Sequence, residues 1–503
     1  MYFRLLFPSA AVLLVEVLGA VTGQLGLNHR PAQYCCSILK EETAVEHIYV
    51  PGDDAYNERV ESYWSLTSQL TPACFVLPGD SQEVASVVRI LVEKTECSFA
   101  VRSGGHSSNA GANNIEDGVT IDLSMMYGTT YDPVTELASV LPATNWLNVY
   151  NTLDPLGRGV PGGRLGDVGV GGLLLGGGFS LYLYRNGVAC DNIRAMEVVL
   201  GNGTIVVASE DENADLFIAL KGGAGNFGIV TRYDLGTFEI HPIWQLSKIY
   251  PEEAGQPFIG ALQRWTDRLE SYPNGSAIVF WSYRFGLRET IVLSGLSDIT
   301  GREFAPAFDE LAGIPGNLSF ATGHSNMSTI ALNEQAAGYR NIWWSLTLAN
   351  DERLIAKAVE LHHDLVEEMK VDSLDGDFET QCFFQPLPTI VGQKGPNILG
   401  IDRHTSNAIV LLASLAVNGE DQEAMGRKKM MTWKSKLEDY ATSSGGLFEY
   451  IYMNYTDGSQ DVIASYGKEN LCKMWAVSQK YDPLGVMQSR QPGGFKLPAD
   501  VSC

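Results

Sequence analysis

One histidine stands in a segment whose other side chains are mostly small. Residues 102–110 read RSGGHSSNA, so that His106 follows two glycines and precedes two serines. A lone histidine in such a segment is most often an ordinary loop residue. The unusual feature is a large titratable ring in a segment with so little bulk. The surrounding segments decide whether the ring belongs to a loop or to a ligand site.

A second segment is the richest in glycine. Residues 161–180 read PGGRLGDVGVGGLLLGGGFS, and nine of these twenty residues are glycine. The glycines alternate with Val and Leu rather than with Ser and Gln, which is not the composition of a flexible linker. A buried backbone that approaches a bound ligand closely explains the composition better.

A third segment imitates a dinucleotide fingerprint. Residues 223–228, GAGNFG, satisfy the pattern G-x-G-x-x-G. A Rossmann site needs a strand before these glycines and a helix after them. Here the preceding ADLFIALKGG is helical, and the following IVTRYDLGTFEI alternates like a strand. The sequence therefore excludes a Rossmann site, although the glycine N–H groups can still bind a pyrophosphate.

The elements around RSGGHSSNA predict a small α/β unit. ACFVLP (73–78) and SFAVRS (98–103) read as strands, and the second runs directly into the histidine segment. Between them GDSQEVASVVRILVEK reads as a helix, with Asp80 and Glu83 spaced as a capping box. Further strands are predicted at 118–126 and, as a hairpin, at 194–209.

Length and charge limit the fold and the partners. A chain of 503 residues is too long for one compact core, so two domains are expected. The formal charge of −24 repels phosphate backbones and anionic membranes, which argues against nucleic acid as a partner. Glycine-rich sequence ends near residue 245, and residues 246–445 mix strands with helices as a second domain would. Motifs return in 446–503, which predicts a return to the first domain.

The start of the chain and its cysteines indicate the secretory pathway. Residues 1–23 combine a positive charge with an apolar run and small residues, which predicts a signal peptide, and no membrane anchor follows. Eight cysteines without a CxxC pair favour disulfides over a zinc site. Connectivity cannot be read from one sequence; Cys36 with Cys97 is the expected bridge. Four sequons agree with a secreted glycoprotein: Asn202, Asn274, Asn317 and Asn326.

Eight motifs follow one another in a fixed order. They are PACFVLP, FAVRSGGHS, GVTIDLS, GGRLGDVGVGGLLLGGG, DLFIALKGGAGNFGIVT, FQPLP, YMNYTDGSQ and KYDPLGVMQSRQPGGFKL. In this order they resemble the berberine-bridge-enzyme-like oxidases of the vanillyl-alcohol-oxidase and p-cresol-methylhydroxylase (PCMH) superfamily, and most closely their secreted fungal members. The resemblance covers nearly the whole chain after residue 23.

The resemblance implies the fold and the cofactor. The expected fold is α+β: a PCMH-type FAD-binding domain of two subdomains (24–245), to which a C-terminal segment (446–503) returns, with an inserted substrate domain (246–445) whose antiparallel sheet is backed by helices. A ring nitrogen of His106 would be bonded to the flavin 8α-methyl carbon, with glycine N–H groups at the FAD pyrophosphate. The other residues expected to bind FAD are Arg102, Ser103, Gly104, Gly105, Ser107, Val168, Gly169, Gly171, Gly172, Gly176, Gly177, Gly178, Gly228, Val230 and Asn454.

Two positions in the glycine-rich segment bear on the flavin. Many relatives attach it a second time through a cysteine three residues before Val168, and Leu165 occupies that position here. We therefore expect a single covalent link, through His106. Val168 takes the place of the small gating residue that leaves room for O2 in the family, which favours an oxidase over a dehydrogenase.

The motif Tyr-x-Asn-Tyr implies the catalytic base. Tyr455 aligns with the tyrosine that deprotonates the substrate in several relatives, and Tyr452 is the other candidate. For this role the pKa of the phenol, ordinarily near 10, must be lowered by nearby donors or positive charge. Two core tyrosines on a strand remain an alternative. Asn454 would contact the flavin or orient the tyrosine, and a buried Asn454 should stay unglycosylated despite its sequon.

The implied activity is that of a secreted FAD-dependent oxidase. A substrate C–H, expected on an alcohol carbon, gives hydride to flavin N5, and O2 then takes the electrons to give H2O2. The expected small-molecule substrate is a fungal secondary metabolite, since the second cysteine typical of the carbohydrate oxidases is missing. Three alternatives stay open: an oxidative cyclase, a flavin-bearing scaffold for non-redox cyclisation, and a single-tether carbohydrate oxidase.

Other chemistries find little support. No paired histidine spacing suggests copper or iron, so no metal is expected, and a Gly-x-Ser-x-Gly elbow for serine hydrolysis is absent. His404 would face the pocket of the substrate domain, although an ordinary loop histidine is the simpler interpretation. His362 and His363 are expected on a polar helix face.

Overall fold

The computed structural model describes residues 32–333, 337–499, 501 and 503. The signal peptide expected at 1–23 lies outside them. Helices combine with parallel and antiparallel sheets, so the expected α+β class is confirmed. Among the described helices, none has the length and apolar character needed to cross a membrane.

The first subdomain contains a largely parallel sheet. Its elements are β1 Ile48–Tyr49, β2 Cys74–Val76, β3 Phe99–Arg102, β4 Val119–Asp122, α1 Ala32–Glu42, α2 Asp54–Glu61 and α3 Ser81–Lys94. The strand order is β1-β2-β4-β3, with β2, β4 and β3 parallel and β1 antiparallel to β2. The strands before and after α3 are buried on both faces. Their sequences are therefore continuous apolar runs and do not alternate between apolar and polar residues.

The helix α3 begins where the capping spacing predicts. The Asp80 carboxylate accepts the Glu83 N–H at 2.9 Å. The Glu83 carboxylate accepts the Gly79 N–H at 2.8 Å, one residue earlier than a standard capping box would have it. Val84, Val88 and Leu91 form the buried face of the helix at the expected spacing.

The second subdomain is an antiparallel sheet with short helices. Its elements are β5 Thr129–Asp132, β6 Leu137–Val140, β7 Arg158–Gly159, β8 Ile193–Val199, β9 Ile205–Ser209, β10 Ile229–Gly236, β11 Phe238–Glu239, α4 Trp146–Leu153, α5 Val170–Leu175, α6 Leu183–Asn186 and α7 Ala214–Leu220. Five strands pair in the order β5-β6-β10-β8-β9, and β7 pairs with β11. The GAGNFG glycines follow α7 and precede β10, so the reversed order that excludes a Rossmann site is confirmed.

The third part of the fold is an eight-stranded antiparallel sheet among the described residues. Its elements are β12 Ile243–Pro251, β13 Gly275–Arg284, β14 Glu289–Asp298, β15 Ser319–Ser325, β16 Arg340–Ala349, β17 Phe378–Leu387, β18 Ala408–Val417, β19 Leu447–Phe448, α8 Gln256–Arg268, α9 Asp309–Ala312, α10 Met327–Ile330, α11 Glu352–Asp372 and α12 Glu420–Ser443. The strand order is β15-β12-β14-β13-β17-β18-β16-β19. Helices α8, α11 and α12 pack against it, which confirms a sheet backed by helices.

The remaining segment returns to the first two subdomains. It carries α13 Lys468–Tyr481 and α14 Val486–Ser489. Helix α13 packs on α7, and the Tyr481 hydroxyl donates to Asp215 at 2.7 Å. The Arg490 guanidinium donates to the Leu91 carbonyl in the last turn of α3 at 2.9 Å and to the Cys97 carbonyl just after the helix at 2.8 Å. These contacts join the segment to both subdomains.

The disulfides correct one expectation. Cys35 pairs with Cys97, Cys36 with Cys74, and Cys472 with Cys503, so the expected Cys36–Cys97 bridge is wrong. Cys35 and Cys36 are neighbours on α1, where successive side chains are about 100° apart around the helix axis. They therefore face different partners. Of the cysteines in the described chain, Cys190 and Cys382 are buried and unpaired.

Candidate active site

A cavity of about 350 Å³ lies where the first two subdomains meet the segment after α14. Loops 103–109, 168–172 and 491–496 form much of its wall. Both candidate bases, Tyr452 and Tyr455, line it as well. Of the residues expected to bind FAD, the cavity brings together Ser103, Gly104, Gly105, His106, Ser107, Val168, Gly169, Gly171, Gly172, Gly228, Val230 and Asn454.

The His106 ring is held in the cavity wall. It stacks on the Trp64 indole, with ring centroids 4.4 Å apart and planes within 8°. The backbone N–H of Trp64 also donates to the Gly105 carbonyl at 3.3 Å, which ties the two segments together. The imidazole is only 9% exposed, and its Nε2 lies 3.3 Å from the Asp167 carboxylate. A loop histidine without a role would not be expected in so defined a setting.

The two glycine loops touch each other through their backbones. A Cβ on Gly104 would lie 2.5 Å from the Gly169 Cα, and a Cβ on Gly169 would lie 2.7 Å from the Gly104 Cα. Gly105 has a φ of +72°, which an L side chain rarely adopts. The two loops thus pack backbone against backbone in the cavity wall, at a point where no side chain fits. Such a surface suits a pyrophosphate.

Replacing Gly104 by Ala is therefore expected to lower the FAD content of the purified protein by about fivefold or more. The new methyl group collides with backbone atoms that cannot rotate away, and the overpacking costs about 1–3 kcal/mol. The ratio of flavin to protein absorbance measures the effect. Gly286→Ala is the matched control, because an exposed Cβ there meets nothing within 4 Å. A normal flavin content in Gly104→Ala would contradict the close approach of the loops.

Tyr455 is the tyrosine beside a positive charge. It ends a single turn of 3₁₀ helix, Met453–Tyr455, and its ring is partly buried. The Arg164 guanidinium donates to the Tyr455 Oη at 2.6 Å and to the Gln385 Oε1 at 3.2 Å. A guanidinium is charged at every ordinary pH, so the phenol oxygen always faces a cation. This is the kind of neighbour that a tyrosine base requires.

Tyr452 has a different environment. Its hydroxyl accepts hydrogen bonds from the Phe179 backbone N–H at 2.7 Å and from the Asn454 amide at 3.2 Å. Its ring stacks on Phe179 at 3.8 Å, and only 1% of the residue is exposed. Burial raises the pKa of Tyr452 well above its usual value, although the two donors oppose this. The geometry is that of a packed, positioning tyrosine.

Asn454 is expected to stay unglycosylated in protein made by a eukaryotic secretory host. Its Nδ2, the atom that would carry the sugar, already donates to the Leu173 carbonyl at 3.1 Å and to the Tyr452 hydroxyl. Glycopeptide mass spectrometry tests this, with the exposed Asn202 in the β8–β9 turn as internal control. A glycan found on Asn454 would show that the folded chain does not keep this amide inside.

Four residues expected to bind FAD lie outside the cavity. Arg102 is opposite Asp122 in the parallel register of β3 and β4, pairs with it at 3.7 Å and donates to the Arg59 and Ser62 carbonyls. Its guanidinium packs against Gly105, where a Cβ would lie 2.9 Å from the Arg102 Nε, and does not line the cavity. Gly176 leaves space for the Asn454 side chain, since a Cβ there would lie 2.1 Å from its Oδ1. Gly177 and Gly178 have φ of +102° and +87° and turn the chain after α5.

Several residues of the site were not singled out in the sequence. The first cavity is lined by Trp64, Arg164 and Trp343, and the last two also line the second cavity. The fourth residue, Asp167, contacts His106. Lys496 also lines the first cavity, and burial lowers its pKa to about 8. The only sequence signals were weak: Arg164 and Asp167 lie inside the glycine-rich motif, and Lys496 lies in QPGGFKL.

A second, larger cavity of about 770 Å³ adjoins the first. It lies against the face of the eight-stranded sheet that includes Gln245, Ser247 and Phe280. An ion pair of Arg284 and Glu379, 2.7 Å apart, gives it a charged wall. The residues shared by the two cavities are Arg164, Leu165, Trp343 and Tyr455. The candidate base therefore stands where the two spaces meet.

The remaining histidines named in the sequence have structural environments. His404 lines neither cavity and packs on Phe448 at 4.7 Å. His362 is fully buried, with Nε2 2.7 Å from the Thr380 hydroxyl, and burial lowers its pKa to about 3. It is not on a polar face, whereas His363 is exposed. No group of three or more potential metal ligands occurs among the described residues.

Comparisons with known proteins agree with this geometry. Residues 72–209 match a family described as FAD binding domain. The FAD-dependent monooxygenase drtC of Aspergillus calidoustus is 33% identical over 99% of this chain and 98% of its own. Physcomitrella patens BBE-like 1 superposes with a TM-score of 0.74, at 17% identity over 93% of this chain and 99% of its own. Glucooligosaccharide oxidase of Acremonium strictum, described with 6-S-cysteinyl, 8α-N1-histidyl FAD, gives 0.72 at 19% identity over 90% and 97%.

Proposed function

Since the chain belongs to the berberine-bridge-enzyme-like oxidoreductases with a PCMH-type FAD-binding domain, we propose that it is an oxidase that holds its flavin through His106. The observation that carries the proposal is the buried imidazole in the wall of a cavity whose glycine loops admit no side chain. Leu165 lies at the cavity where a second attachment would need a cysteine, so His106 is the only covalent link.

The residues of the cavity fit FAD. The backbones of Gly104 and Gly169 offer N–H groups to a pyrophosphate, and Lys496 can add a positive charge beside it. The His106 ring lies in the wall of this cavity and its side chain is only 9% exposed, so that it can present a ring nitrogen to the flavin. When bound, FAD supplies an acceptor for two electrons from a substrate C–H bond and passes them to O2.

The proton of the reaction is assigned to Tyr455 rather than to Tyr452. The Tyr455 Oη faces the junction of the cavities, and Arg164 places a positive charge against the atom that gains negative charge. Tyr452 uses its oxygen to accept the Phe179 N–H and the Asn454 amide, so its role is to hold the 3₁₀ turn. The rings of Trp343 and Phe383 pack around Tyr455 and limit the access of water.

The substrate is a small molecule oxidised at an alcohol carbon, and a fungal secondary metabolite is the class we propose. The second cavity, about 770 Å³, has a mixed polar and apolar wall that suits a mid-sized amphiphilic compound. Three disulfides support folding in the secretory pathway and export from the cell.

Anaerobic mixing with a panel of aliphatic alcohols, aryl alcohols and oligosaccharides tests the function. An alcohol that bleaches the flavin, and that then yields an uncyclised carbonyl product and H2O2 in air, supports an oxidase. Flavin that no compound bleaches, or a cyclised product, would contradict it, and bleaching by oligosaccharides alone would assign a carbohydrate oxidase.

Labelled oxygen separates oxidase from monooxygenase activity, the name carried by the relative from A. calidoustus. With ¹⁸O2 an oxidase leaves the label in H2O2, whereas a monooxygenase places one labelled atom in the organic product. Label in the product would therefore overturn the proposed use of O2.

A further inference from the structure

We propose that Asp167 is a positioning residue that makes His106 reactive for the covalent attachment of FAD. The inference rests on the proposed His106 link and adds the group that promotes it. The Asp167 Oδ2 lies 3.3 Å from the His106 Nε2. The imidazole is 9% exposed and the carboxylate 37% exposed, so the acid is the more accessible member of the pair.

Asp167 has no other partner that would explain its position. Its Oδ1 is buried without a hydrogen bond, and within the described residues its side chain forms an ion pair with His106 alone. The chain already carries a formal charge of −24, and FAD is itself an anion. A carboxylate beside the cofactor cavity opposes FAD binding by charge repulsion. A role of Asp167 in the attachment of FAD would explain why a carboxylate is present despite this repulsion.

Both partners are held by the fold. The Trp146 N–H donates to the Val168 carbonyl at 3.1 Å, and the Leu147 N–H donates to the Gly166 carbonyl at 3.0 Å, which fixes the backbone on both sides of Asp167. The His106 ring cannot tilt freely because it stacks on Trp64, which in turn meets Trp343 edge-on at 5.6 Å. The fold therefore holds the Asp167 and His106 side chains in contact.

The arrangement selects which ring nitrogen reacts. A neutral imidazole has one N–H and one nitrogen with a free lone pair. A carboxylate beside Nε2 favours the proton on that nitrogen, and this leaves the Nδ1 lone pair free to attack. The Nε2–Oδ2 contact is close but too poorly aligned to be a hydrogen bond. Such contacts commonly tighten when the ligand fills the site.

The chemistry balances with O2 as the oxidant. A C–N bond forms between Nδ1 and the flavin 8α carbon, one C–H bond of that methyl group breaks, and the Nε2 proton leaves. The flavin gains the two electrons and two protons, and O2 removes them as H2O2. While the C–N bond forms, the ring becomes positively charged, and the Asp167 carboxylate stabilises that charge.

The test is the rate of attachment, not turnover. Apoprotein from riboflavin-limited cells is mixed with saturating FAD in air, and acid-precipitated samples are read for flavin absorbance in the pellet. We expect Asp167→Ala to attach flavin about 10–100-fold more slowly than the wild type, the usual cost of removing such a partner. Asp167→Glu and added formate with Asp167→Ala should restore part of the rate, because each returns a carboxylate.

Controls separate the possible failures. Asp211→Ala, which removes an exposed carboxylate away from the cavity, should attach at the wild-type rate. Saturating FAD ensures that weaker FAD binding does not lower the attachment rate. The isosteric Asp167→Asn variant removes the charge but keeps the side-chain shape, so it remains informative if Asp167→Ala fails to fold. A wild-type rate in both Asp167→Ala and Asp167→Asn overturns this inference. Wild-type protein without any acid-stable flavin would instead refute the proposed His106 link.

Discussion

Acid precipitation of the His106→Ala variant is expected to leave every flavin in the supernatant, whereas the wild-type pellet stays yellow. The variant loses the only imidazole among the described residues that line the cavity, while the glycine loops proposed to bind the pyrophosphate are unchanged. FAD should therefore still bind, but reversibly. The stabilisation that it gives then grows by about 1.4 kcal/mol for each tenfold increase in free FAD.

His363→Ala is the matched histidine control, because that ring is exposed and lies on α11 far from the flavin cavity. Its pellet should remain yellow, and its melting temperature should not depend on added FAD. Yellow colour retained in the His106→Ala pellet would assign the attachment to another residue and remove the basis of the proposed function.

Tyr455→Phe is expected to lower kcat/KM by about 10²–10⁴, which corresponds to about 2.7–5.5 kcal/mol of transition-state stabilisation. The variant keeps the ring that packs on Trp343 and Phe383 but removes the oxygen that Arg164 contacts. The measurement is the anaerobic rate of flavin bleaching by whichever alcohol the panel identifies. Acid-stable flavin should be unchanged, because Tyr455 does not contact His106.

Tyr452→Phe tests whether Tyr452 has a structural role or acts as the catalytic base. It deprives the buried Phe179 N–H of its acceptor, which costs about 1–3 kcal/mol of stability, and the melting temperature should fall accordingly. The bleaching rate should fall far less than in Tyr455→Phe. If instead Tyr452→Phe abolishes bleaching and Tyr455→Phe does not, the assignment of the base is reversed.

The sequence predicted those parts of the site that depend on local backbone. Glycine loops and the histidine between them can be recognised because close approach permits only glycine, as at Gly104 and Gly169. The N-terminus of α3 follows from Asp80 for the same reason, since capping is a local interaction. The class of fold could be inferred because the motifs keep one order along the chain.

The sequence did not predict contacts between distant residues. Arg164 and Tyr455 are in contact although they are 291 residues apart in the sequence. Neither segment contains a local pattern that predicts this contact. The sequence did not show that Arg102 lies outside the cavity, because the strand register with Asp122 decides which face its side chain takes. The pairing of Cys35 rather than Cys36 with Cys97 depends in the same way on the rotation of α1.

The segment 491–496 has a consequence for biosynthesis. Gln491, Gly493, Phe495 and Lys496 line the flavin cavity, and the ribosome makes them after every other lining residue. A nascent chain that lacks them has a cavity open on one side and cannot enclose the cofactor. Enclosure of the flavin is therefore expected to follow the synthesis of this segment.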